Sequence, residues 1–174
     1  MTPSAGLYHP LVKMEISLNS DVPSISELLE QQERLQISKF DYAFAWELGS
    51  RIYHLGRAEK LPIAIQIRHG TDIVFSALAP GATIDNFDWV RRKCAVVHRF
   101  HQSSLYVRLQ AEEKGYDFNT RFRLAAADYG ASGGAVPILL KGGTFIGSAG
   151  VSGLPDVQDH LLVTDCLSEL IKAQ

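Results

Sequence analysis

Four ionisable side chains in this sequence stand where acid–base or anion-binding chemistry is feasible: Lys93, His101, Asp159 and His160. Plotted at 100° per residue, Asp85 to His101 places Trp89, Val96, Val97 and Phe100 on one side of a helix, with Lys93 among them. Arg91, Arg92 and Arg99 lie away from that side. A lysine in an apolar stripe either snorkels its ammonium into water or faces a cavity, ready for a carboxylate, phenolate or phosphate. Asp159 and His160 fall in the first turn of the last helix and project toward its buried side. There the carboxylate is favoured by the helix dipole, and the imidazole reads either as a core histidine or as the base of a pair at a pocket mouth. His98 and His101 are three residues apart, but no third ligand stands at a supporting spacing, so no metal site is expected. Ser103 and Ser104 follow them, as helix caps or as ligand contacts.

The stretch "GASGGAVPILLKGGTFIGSAGVSGLP", Gly130 to Pro155, carries eight glycines in 26 residues. It is not a phosphate loop, because Lys141 precedes Gly142 and Gly143 and no helix opens after them. A nucleophile elbow fails because "GVSGL" ends in Leu154 where glycine belongs. A dinucleotide fingerprint fails for want of a strand–loop–helix unit. What remains is a hairpin turning at Gly142 and Gly143. Gly133 and Gly134, with Ser132 before them, let a ligand, a helix or a subunit approach the backbone closely.

These groups must be positioned by the elements around them. "PSISELLEQQERL" opens a helix with Ser24 and Glu27 as a capping box, and "LQIS" reads as a short strand. Ser38 and Asp41 set a second cap-like start, for a helix running through Phe44, Leu48, Ile52 and Leu55. "PIAIQIR" and "TDIVFSALA" alternate as strands of an antiparallel hairpin. Helices follow over Asp85–His101 and Ser103–Lys114, then the glycine-rich hairpin, with Pro137 marking an edge strand or strand start. A last helix spans Pro155–Lys172, with proline at its first position. The order predicts an α+β fold: an antiparallel sheet of about five strands flanked by helices. Residues 1–22 read as an N-terminal arm and 23–174 as one domain.

Composition narrows the function. The net charge of -2 and the lack of a basic run argue against nucleic acid. No apolar run is long enough to span a membrane, and the first residues lack the apolar block of a secretory signal. Cys94 and Cys166, both at apolar helix positions, fit buried free thiols in a reducing, cytoplasmic setting.

"VRRKCAVVHRFHQSS", "SGGAVPI" and "IGSAGVSGLPDVQDH" together resemble the heme-degrading-domain family, also called HbpS-like or GlcG-like, and most closely its largely uncharacterised branch of similar length. The resemblance spans about Leu28 to Ile171 and implies a profilin-like or PAS-like antiparallel sheet, homo-oligomers and, for some members, heme. Relatives usually carry histidine before the double glycine; Ser132 stands there instead, removing one imidazole that heme or a metal would use. The expectation is an oligomeric small-molecule-binding protein with a pocket for a flat or anionic ligand. Lys93, His101, Asp159 and His160 would be its ionisable groups, and Ser103, Ser104, Ser132, Gly133 and Gly134 its contacts. No cofactor is required; heme is the one the resemblance admits. The alternatives are a cofactor-independent isomerase, lyase or cyclase using the same residues, and a non-catalytic oligomeric scaffold for protein partners.

Overall fold

A computed structural model describes residues 21–173. The expected N-terminal arm therefore lies almost wholly outside the described residues. Helix α1, Ile25–Arg34, begins at Ser24, whose side chain accepts from the Glu27 N–H while Glu27 reaches back to the Ser24 N–H. This capping box satisfies two donors that the first turn leaves orphaned. Asp41 caps α2, Tyr42–Ala58, with a single bond, its Oδ1 accepting from the Phe44 N–H at 2.8 Å. Strands β1 (Ala64–His69) and β2 (Asp72–Leu78) form the first hairpin, and Thr83 caps α3, Ile84–Phe100. Ser103 caps α4, Ser104–Glu113, and a short helix α5, Phe118–Phe122, follows. Strands β3 (Ala135–Leu139) and β4 (Phe145–Ser152) make the glycine hairpin, turning through Gly142 and Gly143 at φ of 97° and 89°. Helix α6, Asp156–Lys172, closes the chain.

The four strands form one antiparallel sheet in the order β2-β1-β4-β3. The expected strand in "LQIS" is not a fifth member: Ile37 makes only an isolated parallel bridge to Leu140. Its N–H donates to the Leu139 carbonyl and its own carbonyl accepts from Lys141, so one residue shields the end of β3. Pro137 sits on β3, the edge strand, where its missing donor costs no ladder bond. Pro155 is the cap residue of α6 rather than its first helical residue, with φ −50° and ψ 139°.

Alternation along β1 divides the sheet into two packed faces. Ile63, Ile65 and Ile67 enter the larger core with α2 and α6, alongside Leu48, Ile52 and Leu167. Ala64 faces α3 with Val90, Cys94, Val97 and Ala135. Small residues on this second face (Ala64, Ala135, Gly150) let α3 lie close to the strands; a Cβ on Gly150 would come within 2.9 Å of Cys94 Sγ. Both cysteines are buried and free.

Candidate functional site

Three separate places hold the residues that the sequence singles out. The first lies where α3, β4 and α6 meet. Lys93 is 3% exposed and Asp159 is fully buried, and Lys93 Nζ donates to Asp159 Oδ2 at 2.8 Å. The ammonium is also 3.4 Å from the Val151 carbonyl. The short turn between β4 and α6 folds back over the carboxylate, which accepts from the Leu154 N–H at 3.0 Å and the Gly153 N–H at 3.4 Å. Burial pushes the Asp159 carboxyl up to about 6, against the opposing pull of Lys93 and these donors. The snorkelling alternative for Lys93 is thus replaced by a buried ion pair.

Gly134 is the floor of this junction. Its φ is +134°, and a Cβ there would stand 2.9 Å from both Lys93 Nζ and Asp159 Cβ and 2.5 Å from the Val151 carbonyl oxygen. Gly133 is equally close-packed, against the Asp156 carbonyl, and its N–H donates to Asp156 Oδ2. Arg108 Nε lies 2.6 Å from the same carboxylate oxygen, a pair that sequence spacing gave no means of joining. Ser132, half-buried, precedes the pair and donates its N–H to the Gly130 carbonyl. Ser104 is sealed in as well: its Oγ accepts from the Ala135 N–H and donates to the Ala135 carbonyl, substituting for a neighbouring strand at the edge of β3.

The second place lies beneath α1. His160 is 1% exposed and its Nε2 is 2.7 Å from Gln31 Oε1. Burial drops its pKa to about 4, so the ring is neutral near pH 7. Ser103, Thr164, Leu28 and Pro137 complete a cavity of about 10 Å³, room for about one water. The third place is the end of α3. His101 adopts a left-handed conformation there as the helix C-cap, and its exposed ring stacks on Phe145 at 4.1 Å. The structure therefore brings together Lys93, Asp159, Gly133 and Gly134 and places Ser103 with His160, while the His101 ring lies on Phe145 and its carbonyl accepts from Gln32 at 3.2 Å.

The larger hollow lies elsewhere, at the start of α2. An open cleft of about 430 Å³ is lined by Lys39, Phe40, Tyr42, His69, Leu140 and Ile146, among others. The His69 ring packs against Phe40 and Tyr42 with centroids 5.3 and 5.8 Å away, and its Nδ1 is 3.3 Å from the Tyr42 hydroxyl. Lys39, at the rim, pairs with Asp41 in a solvent-exposed salt bridge. Sequence reasoning passed over His69 because it stands at a hairpin turn, with no periodic partner; Phe40 and Tyr42 become its neighbours only through folding.

The elements define a helix-flanked antiparallel-sheet domain with a four-stranded sheet. The chain belongs to the HbpS-like family: the model for haem degrading protein HbpS-like matches residues 40–168. It is 40% identical to the UPF0303 protein of Streptomyces avermitilis, over 86% of this chain and 91% of that one. Among solved structures, the Ybr137w protein is similar at 27% identity, with a TM-score of 0.77, covering 87% of this chain and 90% of the other. The structure of a PduOC:heme complex shares the fold at 14% identity, with a TM-score of 0.63 over 74% and 93% of the two chains.

Proposed function

We propose that this protein binds a flat, anionic, heme-type ligand, and that the cleft at Phe40, Tyr42 and His69 receives it. The observation that carries this reading is the cleft itself. Its volume lies in the range of small-molecule sites, and it combines two aromatic side chains, an imidazole and a cation. The Lys93–Asp159 junction has no such room, since even a methyl group on Gly134 would collide with both charged side chains. That packing also disfavours a proton-transfer enzyme acting through Lys93 and Asp159, because substrate atoms have nowhere to sit.

The cleft's donor set fits a heme-type group. His69 has no protein partner on Nε2 among the described residues, while its Nδ1 meets the Tyr42 hydroxyl, the arrangement that orients a ligating histidine. The Phe40 and Tyr42 rings would flank the macrocycle, and Lys39 would face a carboxylate after giving up its exposed, weakly held partner Asp41. Hemin titrated into the wild-type protein should produce a saturable Soret change. His69→Ala should weaken it at least tenfold, with the melting temperature unchanged. No saturable change, or equal binding by His69→Ala, would remove this reading.

Self-association belongs to the same proposal. Ile73 and Leu78, 48% and 38% exposed, stand on β2, the edge strand unpaired on its outer side among the described residues, and Trp46 is 67% exposed on the neighbouring helix. A free strand edge beside apolar surface supports pairing with a second copy. Light scattering should give a multiple of 19.2 kDa, and Ile73→Lys should lower it. A monomeric wild type would contradict the pairing.

A further inference from the structure

We infer a second binding site, independent of the cleft, where Arg68, His98 and His101 form a corner that takes a compact oxyanion, a phosphate or carboxylate group. Arg68 lies opposite Ser148 in the β1–β4 register, so the two side chains emerge side by side on the α3 face. Ser148 Oγ is buried and 2.9 Å from His98 Nε2, which ties the histidine to the same strand pair. His98, in the last turn of α3, and His101, its left-handed C-cap, close on Phe145 from two directions: His98 edge-on at 5.2 Å and His101 stacked at 4.1 Å.

The protein uses only some of the donors of this corner. Arg68 spends Nε and Nη2 on a single acceptor, Gln66 Oε1 at 3.3 and 2.8 Å, and Nη1 has no partner among the described residues. No described carboxylate lies within 4 Å of its guanidinium, whereas Arg91, Arg92 and Arg108 each have an acidic partner. His98 Nδ1 and both nitrogens of His101 likewise have no protein acceptor among the described residues. Unneutralised positive charge works against His98: after burial, Arg68 and then His101 hold its pKa down, at about 4.

A guanidinium without a counter-charge, next to two imidazoles with open nitrogens, is the donor set that binds carboxylate or phosphate oxygens. Gln66, 1% exposed, fixes the guanidinium plane, so little ordering is left to the ligand. The cleft's cation, Lys39, and its imidazole, His69, belong to a different set of contacts, so either site can fail without the other.

The test uses wild-type protein with inorganic phosphate and, separately, malonate, followed through the imidazole resonances of the histidines. Saturable shifts of His98 and His101, with the exposed His54 unmoved, are expected; whichever probe binds more tightly identifies the group. Arg68→Gln should weaken binding about tenfold or more, the loss of a charged hydrogen-bond donor. Arg99→Gln, an exposed arginine on the same helix, should leave it unchanged. The site is refuted if neither anion shifts His98 and His101 saturably, if His54 responds equally, or if the two arginine variants behave alike. Should Arg68→Gln not fold, the wild-type titration still decides between a site and no site.

Discussion

The junction of Lys93 with Asp159 and the cleft around His69 use similar side chains for opposite ends. In the junction every charge faces a partner a few ångströms away, and glycine is the only residue that fits between them. In the cleft the aromatic faces and an imidazole nitrogen are directed at each other only in part, leaving room for something else. Burial of a charge is therefore not in itself a mark of chemistry. A buried ion pair with its hydrogen bonds satisfied behaves as an internal fastener, costly to break and of no use to a ligand that cannot reach it.

The largest effect should come from cutting that fastener. Lys93→Met leaves the Asp159 carboxylate buried without its cation, and chemical denaturation at pH 7 should show a loss of about 3 to 5 kcal/mol. The orphaned carboxyl would keep its proton to still higher pH, so the variant should regain stability on acidification to pH 5. If Lys93→Met is as stable as wild type, the pair is not a fastener. Gly134→Ala attacks the same point from below, combining positive φ with contacts on backbone and ion pair. Overpacking and backbone strain together should cost about 3 kcal/mol, read as a lowered denaturation midpoint.

Next in size is an acid response. His160 has its pKa lowered from 6.5 to about 4 by burial, so between those values the unfolded chain binds a proton that the native ring refuses. Stability contributed by the neutral ring is present above 6.5 and is lost as pH falls toward 4, by about 3 kcal/mol at 1.4 kcal/mol per unit. His98 acts in the same sense. Asp159 acts in the other: its carboxyl is raised from 3.8 to about 6, so its contribution falls as pH rises through that window. His160→Gln should therefore flatten the acid limb of a stability–pH curve, and an unchanged limb would contradict the neutral buried ring. Ser104→Ala comes after it. Removing the hydroxyl that serves both the N–H and the carbonyl of Ala135 should cost about 1 to 3 kcal/mol by denaturation. The smallest stability change belongs to His69→Ala at the exposed rim of the cleft, within about 0.5 kcal/mol.

Much of the fold was legible because its signals are local. Ser24 with Glu27, Asp41, Ser103 and the paired Gly142 and Gly143 each specify a boundary through bonds or backbone angles within a few residues. The strand count ran one high because "LQIS" has the composition of a strand, while only Ile37 finds a neighbour in the sheet. Helix α5 went unread because five residues carry too little periodicity to register. The site was harder for a physical reason. Helical phase placed Lys93, Asp159 and His160 correctly on inward faces, but phase carries no information about partners 66 or 129 residues away. Asp159 turned its side to Lys93 and His160 turned its own to Gln31, although the two are adjacent in sequence. His69 and Arg68 meet their neighbours across strands or through a loop, contacts that no linear spacing encodes.

A Soret titration with hemin, run side by side on His69→Ala and Asp159→Asn at a temperature where both are folded, tests the central distinction most directly. Asp159→Asn is predicted to keep the wild-type binding curve while His69→Ala loses it. A folded Asp159→Asn that no longer binds, beside a His69→Ala that does, would return the ligand to the junction and contradict the assignment of the cleft.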